Sequence, residues 1–561
     1  MILKFNFRYF CYYSLVFLTI SITNIQLSGA NSDPTVTIKW GKIKGTINQA
    51  ENKDIAVFRG IPYAKPPVGE LRFQKPRPLD GKYEDGQIFD ATRVPVSCYA
   101  TRLGMTKSLK GFDVPESEDC LTLDIWTPAD TLKSDSLKPV LIFIYGGAFL
   151  MDSMRMGEHS GLFLSARGDI VVVIIRYRVG VLGCLFNDQD DMPGNLPLED
   201  QALSIEWIRD NIKYFGGDPE SITLSGLSAG AISTAIHYLQ PGAVSLFKRV
   251  ILQSGGITTE LEESVQQSLA RTKIIATQVG CWKDDQVNTE CLRKLDFKSL
   301  HDAYVKSSAL MGVKTALPLC LVGKGTLSQS GADKLLIAGQ IPQNIPALIT
   351  SMEDEGSIIM GMFNMDQKKT LRNVVADLAD VLAPGIKENE INDLQSIYFD
   401  GISGNEKFEN MKAFIRMLGD RYFRCPSIWF AEKVAQHNPV YTAQFTRIGD
   451  DIAKRKPKFL FDTTFGPKHS SDAAYVFGAP LANRNEAKKE DIEGAEFVIG
   501  FWTQFVRSGQ VSWAPYKKTS HGDLFPFQLN IRVGELPHTT DLDPRYPFCQ
   551  LWKRVYYKEK F

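Results

Sequence analysis

The chain carries no excess of either charge: 64 lysines and arginines balance 64 aspartates and glutamates, for a formal net charge of zero. The two signs are interspersed without long blocks of one kind, which argues against nucleic acid or an anionic membrane as the main partner. No Asn-x-Ser/Thr sequence occurs in the 561 residues, so N-linked glycans are not expected to contribute to solubility. No cysteine spacing resembles a zinc site, and neither a metal nor a cofactor is expected. There is no internal repeat, no low-complexity linker and, past the N-terminus, no apolar run as long as a membrane span. Histidine is scarce, with only seven residues, so chemistry that needs an imidazole has few candidates. What remains is 44% apolar and 23% charged residues, the composition of a folded chain with a sizeable core.

The N-terminus departs from this average. Lys4 and Arg8 precede an apolar stretch from about Tyr9 to Ile22, polar Thr23, Asn24 and Gln26 interrupt it, and Ser28-Gly29-Ala30 offers a small-x-small cleavage site. Residues 1–30 therefore read as a secretory signal peptide, with 31–561 as one large domain carrying helical insertions. The C-terminal run from Lys553 to Phe561 is too charged for a lipid-anchor signal, so a soluble, exported product is expected. Removing Cys11 leaves eight cysteines, an even number that permits disulfides without fixing their connectivity.

Short β-rich runs alternate with turn-rich loops up to about Glu220. Val140–Ile144 and Ile170–Ile175 are continuous apolar segments of strand length, the pattern of strands buried on both faces of a parallel sheet. Between Leu198 and Tyr214, Leu203, Ile205, Trp207, Ile208 and Ile212 recur at helical spacing, and Gly216-Gly217-Asp218-Pro219 stops that helix. Strands are then expected at Ser221–Leu224, Val250–Gln253, Pro346–Ile349 and Val440–Phe445. Residues 260 to 340 read as less apolar and more irregular, and 365 to 440 as mostly helical. Strand, helix, strand, turn, helix, strand is the order of a doubly wound α/β sheet.

One turn in this order carries chemistry. Gly226-Leu227-Ser228-Ala229-Gly230 sits between a strand and a helix, where a serine can be held on a sharp turn with its hydroxyl exposed. Serine acyl transfer also needs a base, an acid that orients it, and donors for the developing oxyanion. His237 lies on the helix behind the serine and reads as structural. His469 lies in a tight loop, Gly466 to Asp472, and is the candidate base. The acid is sought among Glu353, Asp354 and Glu355, which cluster just past the strand at 346–349, where α/β sheets place their sites. The small residues of Tyr145-Gly146-Gly147-Ala148-Phe149, directly after the strand ending at Ile144, leave backbone N–H groups uncovered for an oxyanion.

From about Val36 to Trp552 the chain resembles the type-B carboxylesterases and cholinesterases of the α/β-hydrolase fold. The segments that carry the resemblance are Phe58 to Gly69, Ser117 to Ile125, Gly194-Asn195-Leu196 with Asp200-Gln201, Gln253-Ser254-Gly255 and Asp354-Glu355-Gly356-Ser357. The resemblance implies a large, mostly parallel central sheet flanked by helices, and a serine esterase whose substrate is a small-molecule ester. It implies a triad of Ser228, Glu355 and His469, with oxyanion donors at Gly147, Ala148 and Ala229. Activity is then expected to fall when the histidine protonates below neutral pH. The resemblance also pairs Cys98 with Cys120, Cys281 with Cys291 and Cys425 with Cys549. Closing the last, long loop should constrain the unfolded chain by roughly 3–5 kcal/mol on the entropic account. Cys184 and Cys320 are left over and are expected to be buried thiols.

The chain also departs from the family pattern. Leu227 stands where Glu, His or Gln is usual, Arg176 where Asn is usual and Pro197 where Gly is usual, while Leu321 to Gly325 strays from an Asp-Gly turn. The loop from Cys98 to Cys120 has no tryptophan of the kind that cholinesterases use to bind a quaternary ammonium by cation–π attraction, and Phe112 could substitute only in part. A general carboxylesterase is therefore preferred over an acetylcholinesterase-like choline ester hydrolase. A non-catalytic, adhesion-type relative is the third reading, opposed by the survival of Ser228, Glu355 and His469.

Overall fold

The structure, a computed structural model, describes residues 33–101, 114–151, 159–257, 262–311, 320–360, 385–403, 406–449, 466–518, 528–540 and 546–557, together with Val375, Ala383 and 524–525. The signal-peptide reading of 1–30 and Phe112 lie outside them.

The continuous apolar runs form the middle of an eleven-stranded sheet. Its strands are β1 Thr46–Ala50, β2 Lys53–Pro62, β3 Thr122–Pro128, β4 Lys138–Ile144, β5 Val171–Ile175, β6 Gly217–Leu227, β7 Arg249–Gln253, β8 Ala347–Met352, β9 Val440–Arg447, β10 Gln528–Arg532 and β11 His538–Thr540. Their spatial order is β1-β2-β3-β5-β4-β6-β7-β8-β9-β10-β11. Neighbours from β5 through β10 are all parallel, while β1, β2, β3 and β5 pair antiparallel, as do β10 and β11. Every residue of β5 and the Val140–Ile144 part of β4 is buried, as strands covered by helices on both faces require.

The order explains where a site can form. β5 lies on the far side of β4 from β6, so the chain leaves β4 toward one edge of the sheet and leaves β6 toward the other. Connections departing in opposite directions from adjacent carboxyl ends open a crevice between them. The helix Leu196–Asn211 carries Pro197 in its first turn, where the missing N–H is harmless, and it buries Ile205, Trp207 and Ile208. It tightens into a short 3₁₀ turn, Ile212–Phe215, which Gly216 ends at φ 79°, and β6 follows directly.

Two expectations are corrected. Among the described residues, 260 to 340 hold three longer helices, Val265–Gln278, Phe297–Leu310 and Gln329–Ile337, besides the short Thr289–Arg293. The first is fixed by a capping box between Ser264 and Gln267 and the third by the Ser328 hydroxyl, local signals that outweigh low apolar content. Cys184 and Cys320 are buried but are not thiols: they form a disulfide. The short helix Val181–Cys184 and the strand Leu321–Val322 bring their Cα atoms within 4.6 Å, inside bridging range. The other bridges are Cys98–Cys120, Cys281–Cys291 and Cys425–Cys549. The last lies in a second buried cluster with Phe414, Leu418, Trp429 and Trp552.

Candidate active site

β6 runs straight into the helix Ala229–Tyr238, and Ser228 makes the turn alone at φ 58°, ψ −122°. That conformation costs a non-glycine residue of order 1–3 kcal/mol and persists only where the surroundings impose it. Here they do. A Cβ on Gly226 would lie 2.1 Å from the carbonyl oxygen of Gly230, and one on Gly230 would lie 2.0 Å from that of Ile144, so strand, turn and helix close up only because both are glycine. The Ser228 N–H donates to Gln253 O at 2.8 Å, fixing the turn to β7. Ser228 keeps partial exposure, while Leu227 and Ala229 on either side are buried.

The segment Tyr145–Phe149 leaves β4 next to this turn, and Gly146 packs against Leu227 and Ser228. Gly147 has φ 120°, Ala148 56° and Phe149 60°, three consecutive positive values that turn successive amides to one side. Two tyrosines hold the base of the segment. The Tyr177 hydroxyl donates to Tyr145 O at 2.6 Å, the Tyr145 hydroxyl donates to Tyr177 O at 3.1 Å, and the rings stack at 4.4 Å. The N–H groups of Gly147, Ala148 and Ala229 have no acceptor among the described residues. Gly147 and Ala148 are partly exposed, as Ser228 is.

The carboxylates beyond β8 separate by role. Glu353 reaches Arg416 at 3.4 Å and is partly exposed. Asp354 makes a parallel bridge to Lys468, donates its N–H to Pro467 O at 3.0 Å and accepts from Gly466 N–H at 2.8 Å. That short piece of sheet brings in the histidine loop and sets Glu355 against His469, with Glu355 Oε2 and His469 Nδ1 2.6 Å apart and both side chains buried. The other carboxylate oxygen, Oε1, accepts from the Met352 N–H at 2.7 Å, which fixes the carboxylate plane. The loop is tied back to the serine turn by Gln253, whose Nε2 donates to Asp472 Oδ2 at 3.0 Å.

Sequence reasoning missed the wall behind this pair. The helix Lys407–Gly419 passes through a π-helical turn, Asp420–Arg424, into the helix Cys425–Val434. Gly356 meets this wall closely, since a Cβ there would lie 2.0 Å from Ile415 O, and the Phe423 ring sits 4.3 Å from that of His469. A wide turn inside a helix is a frequent companion of functional sites, but a run of Asp, Arg, Tyr, Phe and Arg carries no periodic signal for it. His237, read as structural, is buried at the far end of the elbow helix with Nε2 3.0 Å from Gln201 Oε1. Burial pushes its pKa down to about 4.

The departures fall in three places. Arg176 is buried in a two-pronged ion pair with Asp124, at 2.9 and 2.7 Å, and Asp124 also accepts from the Gly60 N–H. Leu227 ends β6 beside Gln253, fully apolar and 3% exposed. Leu321–Val322 forms a small parallel ladder with Glu262–Glu263.

A buried imidazole–carboxylate pair, a serine on a strained strand-to-helix turn and a loop of open amides at the switch point of the sheet define a class of hydrolase. The Carboxylesterase family model matches residues 32–541, and the chain belongs to that family. It has the α/β-hydrolase fold and is a serine carboxylic ester hydrolase. Acetylcholinesterase 4 of Caenorhabditis briggsae is 28% identical over 96% of this chain and 92% of its own length. Cholinesterase of Mus musculus is 28% identical over 95% of this chain and 88% of its own, and acetylcholinesterase of Bungarus fasciatus is 29% identical over 94% and 87%.

Proposed function

We propose that residues 31–561 are one catalytic domain that hydrolyses carboxylic esters through an acyl-enzyme on Ser228. Ser228 Oγ attacks the ester carbonyl and His469 takes its proton. The new oxyanion lies toward the amides of Gly147, Ala148 and Ala229. Glu355 holds His469 in the tautomer protonated at Nδ1 and stabilises the imidazolium, without taking the proton itself. His469 then protonates the leaving alcohol, and afterwards it activates the water that releases the acid. The observation that carries this reading is the buried 2.6 Å contact between Glu355 and His469 within the same sheet end as the strained Ser228 turn.

Residues 1–30 are proposed to direct export. Four disulfides suit an oxidising compartment. No helix among the described residues is long and apolar enough to cross a membrane. A choline ester is the second reading, favoured by relatives that bear the names of cholinesterases. Against it stand the tryptophan-free sequence between Cys98 and Cys120 and the apolar Leu227 beside the serine, neither of which offers a cation an indole face or a polar group.

A fluorophosphonate probe tests the mechanism. One adduct is expected, on Ser228, and Ser228→Ala should abolish both labelling and turnover, a loss of about 10⁵–10⁶ in kcat. A folded parent protein that takes no label would return the reading to a non-catalytic relative. Rates on matched acyl esters of choline and of uncharged alcohols separate the two substrate classes, with no preference for choline expected.

A further inference from the structure

The Cys184–Cys320 bridge joins segments 136 residues apart, and it does so against the back of the open-amide loop. Cys184 Sγ lies 3.8 Å from the carbonyl oxygen of Phe149, and that oxygen also accepts from the Gly180 N–H at 2.8 Å. Phe149 closes the run of positive φ values that begins at Gly147, so whatever fixes its carbonyl fixes the directions of the preceding amides. Among the described residues the loop is also held by the Thr101 N–H on Leu150 O at 2.7 Å and by its own turn, in which Gly147 O accepts from the Leu150 and Met151 N–H groups at 2.9 and 3.0 Å.

The other end of the bridge stands on a rigid base. Cys320 leads into Leu321–Val322, which pairs with Glu262–Glu263. Val322 exchanges two hydrogen bonds with the Asn195 side chain, at 2.8 and 2.9 Å. Glu263 is buried against the Arg271 guanidinium, which also reaches the Ser307 hydroxyl at 2.7 Å. Through the disulfide, this braced segment is covalently continuous with the residue that touches Phe149.

We propose that Cys184 and Cys320 are positioning residues: their bridge holds the Gly147–Phe149 loop in the geometry that receives the oxyanion. This rests on the esterase reading of Ser228. Opening the bridge leaves Ser228, His469 and Glu355 on their own elements but lets the amides drift, so the loss falls on the transition state. A displacement of this kind costs about 10- to 100-fold in rate when it reaches the reacting atoms.

The test compares the mature protein with C184A/C320A and with C281A/C291A, which removes a bridge elsewhere. Each is assayed for kcat and KM on a p-nitrophenyl ester, for the fraction labelled by a fluorophosphonate, and for affinity toward an aryl trifluoromethyl ketone, whose serine adduct places an oxyanion at the same amides. Per labelled site, C184A/C320A should lose about 10- to 100-fold in kcat with KM within about twofold, and should bind the ketone weaker by the same factor. C281A/C291A should match the parent. If C184A/C320A does not fold, C320S opens the bridge while leaving Cys184 in place and is read in the same way. An unchanged kcat and ketone affinity per labelled site, or an equal loss in C281A/C291A, would overturn the positioning role while the esterase reading stands. A folded parent that is neither labelled nor active would overturn both.

Discussion

The helix Ala229–Tyr238 has two ends of opposite character. At its N-terminus Ser228 is strained, Ala229 offers an N–H with no acceptor among the described residues, and two glycines allow backbone contacts that no side chain would permit. At its C-terminus the local rules are kept. His237 is buried neutral against Gln201, and Tyr238 donates to Ile345 O and accepts from Asn438. Every residue of the helix itself is buried, so burial along it does not distinguish the two ends, and only Ser228 just before it keeps partial exposure. What distinguishes them is backbone strain and open N–H groups at one end and unstrained backbone with paired side chains at the other, and the proposed chemistry belongs to the first.

The sharpest way to test that contrast is to change the carboxylate that serves the strained end. Glu355→Gln keeps size and can still accept from the Met352 N–H, but then it presents an amide NH₂ to His469 Nδ1. The ring is forced to accept there and to carry its proton on Nε2, where it can no longer take one from Ser228. A fall in kcat of about 10⁴ is expected with little change in melting temperature. A variant within tenfold of the parent in steady-state kinetics would mean that Glu355 only packs against the ring.

Next in size is the loop proposed to receive the oxyanion. A Cβ on Gly147 would lie 2.4 Å from Met151 O, at a φ of 120° that alanine does not favour, so Gly147→Ala must turn the loop amides. The loss should be about 10²–10³ in kcat, measured per fluorophosphonate-labelled site, as for removal of one donor. Equal losses in kcat and in folded fraction would place the effect in stability rather than in the site.

Much of this was legible in the sequence because it depends on local pattern. Two unbroken apolar runs announced β4 and β5, and the glycine spacing around Ser228 announced the turn. The loop at 145–149 could be singled out because small residues follow a strand, and the proposed orienting acid could be narrowed to Glu353, Asp354 and Glu355 by its place after β8, with Glu355 chosen among them only through the family resemblance. What was not legible depends on contacts between distant segments. Nothing near Asp354 signals that it pairs with Lys468 and so delivers Glu355 to His469. Phe423 reaches the histidine only because a helix widens by one residue per turn, and Cys184 meets Cys320 only through the docking of a two-residue strand on Glu262–Glu263. Local helix caps at Ser264 and Ser328 were present in the sequence, but they were outweighed by a low apolar count.

The quiet end of the helix yields the smallest effect and the strictest check on the comparison. His237 is pushed down to about 4 by burial, against about 6.5 in an unfolded chain. Between those values the unfolded state binds a proton that the folded state refuses. The stability tied to the neutral ring is therefore fully present above pH 6.5 and is lost as the pH falls toward 4, by about 3 kcal/mol in all, or a factor on the order of a few hundred in the folding equilibrium. His237→Gln removes the titration while keeping an amide that can pair with Gln201. The variant is expected to be less stable than the parent at pH 7.5, yet to lose less on acidification, so that urea-unfolding free energies with the disulfides intact converge by about 3 kcal/mol between pH 7.5 and 4. Fluorophosphonate labelling of Ser228 at pH 7.5 should be unchanged, because His237 sits at the end of the helix where every polar contact serves folding. Parallel stability curves would show that the ring charges inside the fold, and slower labelling would show that the two ends of the helix are not independent.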